Sequence, residues 1–463
     1  MKNLRLPLLF LCFIFLGCNI EPLPETIEES ISEETPEDMS EGISEVTPEA
    51  AEYNYRYTSY DDGEIESFQN IEESFIAFTR EIAGNVNDRY IEVYFQTKDD
   101  VECRVWQNYN DGSSKELVSG RIPGRSFGTP SLSTIRGFDI RDFRRLYIRL
   151  NRTNGWLDIE FYKNGNRIWS LPYFRRPNYP NNSIAFVTST YTEEAYYVGL
   201  GGRSQYENNA DQPGTFTRAD DYPNNFNIRR DLTNCQNAVI ADKFSLKYLS
   251  ENNIAFDHID DKAMTSWDHI KRYETLVFGQ HNEYWTPDTF RNIKRFVDQG
   301  GNLLFLGGNS AYRVFKQKRY YKVLSQSVTR GAEFEIVRNY LGSFYTAEGY
   351  LTFAPYKKLA NHPLMNGVGD AFGLTSLNNC NNTSLNGIGD GASGWETDKK
   401  INDTFITLAK GANPNSSGAE IVYKEFRSGG KVLNFGSMAL TGSFDDEGID
   451  RMMQNIFDEF EMR

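Results

Sequence analysis

The sequence predicts an α/β fold, a parallel sheet with helices on both faces, preceded by a small antiparallel β-sandwich domain. Three observations predict it. Short period-two alternation runs from Tyr53 to about residue 175, the signature of half-buried strands. Three prolines, Pro172, Pro177 and Pro180, then break the pattern, as in a linker. Beyond them, continuous apolar runs alternate with helical periods, which reads as buried parallel strands covered by helices.

The chain opens with Lys2 and Arg5 ahead of the apolar run Leu6–Leu16, which meets Gly17-Cys18. A charged start, a short apolar stretch and small residues at the cut describe a secretory signal over residues 1–17. The run is too short for a membrane-spanning helix, which takes about 20 residues. The ending Phe15-Leu16-Gly17-Cys18 resembles a bacterial lipobox, which implies cleavage before Cys18 and acylation of its sulfur. The expectation is a lipid-anchored protein of the bacterial cell envelope, at the outer membrane, with acyl chains on Cys18 as its membrane contact.

Residues 18–52 read as an acidic disordered tether. Positions 21–52 hold 12 Asp/Glu with no Lys, Arg or aromatic residue, too little apolar surface to offset the entropy of ordering. This segment carries most of the formal charge of −15; without it and the +2 of the first twenty residues, −5 remains for residues 53–463. An acidic balance excludes a nucleic-acid partner, which calls for clustered Lys and Arg. Of five cysteines, Cys12 falls in the signal and Cys18 at the anchor, leaving Cys103, Cys235 and Cys380. An odd number with no C-x-x-C spacing allows one disulfide, its pairing open, and no zinc knuckle.

Residues 53–178 form the predicted β-sandwich. Tyr90–Phe95, Val101–Trp106 and Leu146–Leu150 alternate, and Asn164-Gly165 separates two further alternating runs, the strongest short hairpin signal. No catalytic constellation is visible there. Residues 179–463 form the predicted α/β domain. Ile184–Thr188, Leu276–Phe278, Asn302–Leu306 and Val432–Phe435 read as strands, and Thr289–Gln299 as an amphipathic helix stopped by Gly300-Gly301. Ligands of such sheets bind at the carboxyl ends of the strands. The segments there are Ser189–Tyr206, Gly279–Trp285 and Gly307–Tyr312.

His281 and Glu283 flank Asn282 on the turn after a buried strand, and Glu283 is a carboxylate among Tyr284, Trp285 and glycines. Such a group needs a cation, a proton or a donor. Tyr191, Tyr196, Tyr197, Tyr206 and Tyr222 cluster after the first strand; carboxylate and phenolate are hard oxygen donors suited to a hard cation. His258, His269 and His362 show no partner spacing and read as structural or surface residues.

Four stretches together resemble the C-terminal domain of the N,N-dimethylformamidase large (β) subunit: Ser189–Thr192 leading to Ala195-Tyr196-Tyr197 and Gly201–Tyr206; Gly279-Gln280-His281-Asn282-Glu283-Tyr284-Trp285; Gly300–Asn309; and Asn434–Ser437. The resemblance runs from about residue 183 to 463. It implies a glutamine-amidotransferase-like fold with a metal in place of the cysteine nucleophile. It further implies a single ferric iron held by Tyr196, Glu283 and a second tyrosine, Tyr222 or alternatively Tyr206. The chemistry implied is hydrolysis of a small amide through a metal-activated water, with His281 orienting Glu283 or moving a proton and Asn309 stabilising the oxyanion. Asn282 stands where the family usually has Asp, and the Asn309–Arg313 stretch lacks the Trp that commonly follows its Tyr. A homo-oligomer is compatible with this reading. The rival reading is a non-catalytic surface module whose aromatic crevice holds a glycan or peptide.

Overall fold

The computed structural model describes residues 43–46, 75–79, 83–85, 88–97, 99–108, 114–124, 144–150, 155–192, 214–215, 238–318, 322–346, 352–374 and 391–463. Cys18, Tyr196, Tyr206 and Tyr222 lie outside them, as does most of the signal and tether. No helix among the described residues is long and apolar enough to cross a membrane.

The alternating residues before 177 build two sheets. One orders Ile43–Val46, Arg144–Arg149, Tyr90–Thr97 and Phe75–Thr79; the other orders Ala83–Asn85, Asn166–Arg176, Gly155–Lys163, Val101–Asn108 and Ser114–Ile122. All pairs are antiparallel except Ala83–Asn85 on Asn166–Arg176. Period two sends Ile91, Val93, Phe95 and Ile148 of one sheet, and Val101, Val105, Ile159 and Phe161 of the other, into one apolar core. Cys103 sits in that core as a free thiol, its pKa raised by burial and by the neighbouring Glu102 charge. Asn164 and Gly165 take φ of 51° and 81°, the left-handed pair that a tight hairpin turn requires.

The second sheet system corrects the expected fold. It is a mixed nine-stranded sheet ordered Asp257–Asp260, Ile184–Thr188, Thr275–Phe278, Asn302–Phe305, Lys431–Asn434, Glu420–Glu425, Ile406–Gly411, Tyr356–Lys358, Ala371–Phe372. Its first five strands are mutually parallel, and every pairing beyond Lys431–Asn434 is antiparallel. Strand residues outnumber helical ones among the described residues. This is not a helix-flanked parallel sheet of the glutamine-amidotransferase kind. The physical reason lies in the connections: the short turn through Ser428-Gly429-Gly430 returns the chain directly, so Glu420–Glu425 and Lys431–Asn434 pair as a hairpin, whereas parallel neighbours need a long crossover.

Two apolar clusters cover this sheet. Ile184, Phe186, Val277, Leu304 and Leu433 pack with Leu246 and Leu249 of the helix Ala238–Glu251 and with Ile449, Met452 and Ile456 of the helix Glu447–Glu459. On alternate residues, Ala185, Leu276, Phe278, Leu303 and Phe305 pack with Phe290, Ile293 and Val297 of the helix Pro287–Asp298. That helix starts where the sequence chemistry puts it, with Thr286 capping the Thr289 N–H and Pro287 in its first turn. Trp156 and Phe174 of the first sheet pair enter the same cluster as Phe186, and Arg176 bridges to buried Asp260 at 2.7 Å.

Candidate active site

The site forms where the parallel strands Thr275–Phe278, Asn302–Phe305 and Lys431–Asn434 end. The loops leaving the first two are locked backbone to backbone. His281 bridges Gly308, and the Gly308 N–H donates to Gln280 O at 3.2 Å. A Cβ on Gly307 would stand 1.8 Å from Gln280 O, and one on Gly308 2.5 Å from Glu396 O. Glycine is required here by contact with a neighbouring backbone, and the Gly308 N–H is already committed. The chain then turns at Asn309, whose φ is 52°.

Two buried aspartates brace these loops. Asp242 accepts the Gln280 N–H at 2.8 Å. Asp398, in the strand Thr397–Lys400, accepts the Asn309 N–H at 2.8 Å and the Ser310 N–H at 3.4 Å. Burial pushes the Asp398 carboxyl up to about 7 against those two hydrogen bonds, with the Glu396 charge adding to the rise. The loop after the strand Ile184–Thr188 joins in through Thr192, whose Oγ1 accepts the Tyr284 N–H at 3.2 Å. Asp261 fixes that loop by accepting the Thr190 and Tyr191 N–H groups.

Five side chains converge inside this frame. His281 Nε2 lies 3.5 Å from Glu283 Oε2 and 3.4 Å from Glu396 Oε2. Asn309 Nδ2 donates to Glu396 Oε2 at 2.7 Å and stands 3.4 Å from His281 Nε2. Arg313 Nε donates to Glu283 Oε1 at 3.0 Å. All of them except Arg313 are buried. Burial works against the His281 imidazolium, but hydrogen bonds to Glu283 and Glu396 and their charges outweigh it, raising its pKa to about 10. With no cation on Glu283, these interactions favour the protonated imidazole.

The structure thus brings His281, Glu283 and Asn309 together. It adds two residues that sequence reasoning missed, Glu396 and Asp398. Neither had a local signal: Trp395-Glu396 is an isolated pair after a glycine-rich stretch. The signal lay in the fourth motif, because Ser437 Oγ accepts the Gly394 N–H at 2.8 Å and the Met438 N–H reaches Glu396 O, so Asn434–Ser437 anchors the Glu396 loop. Tyr191 packs on Phe315 with ring centroids 5.6 Å apart. His258 donates to or accepts from Thr188 Oγ1 at 2.7 Å inside an aromatic nest, and His362 accepts the Leu364 N–H.

Among the described residues no group of three His, Cys, Asp or Glu is arranged to hold a metal ion. Of the expected iron ligands only Glu283 is described. Its donor chemistry fits a hard cation: it is a buried carboxylate, with Arg313 fixing Oε1 and Oε2 turned toward the site.

A family model described as N,N-dimethylformamidase beta subunit-like, C-terminal, matches residues 151–453, more than half of the chain. No curated protein matches the chain. Among solved structures, a β-galactosidase from Bacillus circulans sp. alkalophilus is similar at 13% identity and a TM-score of 0.35, over 60% of this chain. The chain spans only 31% of that enzyme. A ThuA-like protein from Bacteroides uniformis is similar at 12% identity and a TM-score of 0.34, over 61% of this chain and 92% of its own. Likenesses at these scores carry no functional weight.

Proposed function

The chain belongs to the N,N-dimethylformamidase beta subunit-like, C-terminal family, and from that membership we propose that it hydrolyses the C–N bond of a small amide. The observation that supports this most is the convergence of His281, Glu283, Glu396 and Asn309 where three parallel strands end. Glu396 is the group to take a proton from the attacking water, since its Oε2 is aligned by Asn309 and faces His281. His281 returns a proton to the leaving nitrogen. Asn309 Nδ2 carries a second hydrogen for the oxyanion. Asp398 and the Gly307-Gly308 contacts hold Asn309 in place before substrate arrives.

Glu283, with Tyr196 and Tyr222 (or Tyr206), would hold a ferric iron, which when bound polarises the amide carbonyl and lowers the pKa of a coordinated water. Arg313 orients Glu283 for that task. The reading extends to a signal peptide over residues 1–17 and acyl chains on Cys18 that tether the enzyme to the outer membrane through the acidic segment ahead of the strand Ile43–Val46.

The deciding experiment is metal analysis and amide hydrolysis on the purified full chain. About one iron per chain, with a visible tyrosinate band lost in Glu283→Ala and Tyr196→Phe, supports the reading. A colourless, iron-free protein inert toward N,N-dimethylformamide and N-alkylformamides overturns it. Cys18→Ala releases the protein from membranes if the tether is correctly read.

A further inference from the structure

The Arg313 guanidinium stands beside the site with one edge used and another unused. Its Nε donates to Glu283 Oε1 at 3.0 Å, and its side chain is 14% exposed. Its Nη1 is buried with no hydrogen-bond partner among the described residues. The rings of Tyr284 and Tyr312 lie 5.8 and 5.5 Å from Cζ, so two aromatic faces border the guanidinium. Arginine presents five donors in a rigid planar fork, and its natural complement is a planar carboxylate engaged along an edge. Glu283 fills the Nε side. A buried, charged donor left unpaired is costly, and a site that maintains one is built for an acceptor that arrives with the ligand.

We propose that Arg313 is a specificity-determining residue that pairs through Nη1 with a carboxylate of the substrate, so that the amide hydrolysed belongs to the N-acyl amino acid class. The proposal rests on the amide-hydrolase reading given above and names the substrate class of the same site. The placement is suitable. Arg313 grips one oxygen of Glu283 while the other faces His281, so the guanidinium lies one carboxylate's width from the reacting groups. A carboxylate a few bonds beyond the scissile amide fits that interval. Glu283, the carboxylate nearest the guanidinium, is offset by Arg313 itself. Half-buried Tyr312 packs edge-on to Tyr345 at 5.1 Å and against Phe344 at 5.2 Å, which keeps the guanidinium's neighbourhood flat and apolar, a setting in which a charged pair gains strength.

The test compares N-formylglycine with its uncharged isostere N-isobutylformamide, on full-length wild type, Arg313→Gln and Arg313→Lys, by steady-state kinetics and by calorimetric binding. The proposal expects wild type to favour N-formylglycine at least tenfold in kcat/KM. Arg313→Gln should lose that preference mainly through KM, and Arg313→Lys should retain part of it. Equal use of the two amides by wild type, or an undiminished preference in Arg313→Gln, overturns the carboxylate assignment and leaves amide hydrolysis standing. Binding of N-formylglycine that Arg313→Gln weakens tenfold, with neither compound hydrolysed, supports the assignment and removes the hydrolase reading. Binding of neither compound overturns the proposal.

Discussion

Asn309 Nδ2 donates to Glu396 Oε2 across 2.7 Å, joining side chains that lie 87 positions apart in the sequence. The bond gives the amide and the carboxylate a shared orientation, and both face His281 Nε2 at 3.4 Å. If Glu396 takes the proton of the attacking water, Glu396→Gln lowers turnover about 10²- to 10⁴-fold with little change in KM. The double variant with Asn309→Ala falls well short of the product of the two single losses, because the residues act as a unit. Steady-state rates on an N-alkylformamide check this, and multiplicative losses count against it.

Asp398 yields a pH dependence. Its folded pKa of about 7 is raised from the ordinary carboxyl range, first by burial. The unfolded chain releases this proton near about 3.9. Its contribution to stability is therefore complete below that value and drains away as pH rises through 7. The denaturant midpoint of wild type relative to that of Asp398→Asn should decline from pH 4 to 8. An unchanged slope in the variant contradicts the assignment.

His258 gives the opposite sign. Burial holds it neutral and lowers its pKa to about 3, whereas an unfolded histidine protonates near about 6.5. Stability from this residue is full above about 6.5 and lost as pH falls toward 3. The ring stacks on Trp156 at 6.0 Å and meets Phe174 at 4.4 Å, so acid should loosen the contact between the first sheet pair and the nine-stranded sheet. His258→Leu is expected to shift the acid midpoint downward, with tryptophan fluorescence as the readout.

Gly307 gives a steric prediction. With a Cβ 1.8 Å from Gln280 O, Gly307→Ala must push apart two paired loops. The expected cost is at least about 3 kcal/mol, in the range reserved for backbone clashes and overpacked cores. A denaturation curve within 1 kcal/mol of wild type, taking that figure as about the ordinary effect of a point change, would show that the loops yield.

Part of this was legible in the sequence. The runs at 184–187 and 303–305 are apolar throughout because both faces of the sheet are covered. His281, Glu283 and Asn309 could be found because strand ends place them a few residues after such runs. The direction of a strand leaves no such trace. Tyr356–Lys358, Ile406–Gly411 and Glu420–Glu425 carry Lys357, Lys410 and Lys424 among apolar residues, a period that parallel and antiparallel partners satisfy alike. Glu396 stayed hidden because only the pairing of Thr397–Lys400 with Ser343–Thr346 and the Ser437 contact bring it to the site.

The contact of backbone against backbone at Gly307 and Gly308 also bears on how such a protein diversifies. Loops that cannot accept a methyl group hold His281, Glu283 and Asn309 in one arrangement. Substrate preference would then change at side chains such as Tyr312, whose ring lies 5.5 Å from the Arg313 Cζ, and Tyr345, which packs on Tyr312. The site is a rigid anvil with an adjustable edge.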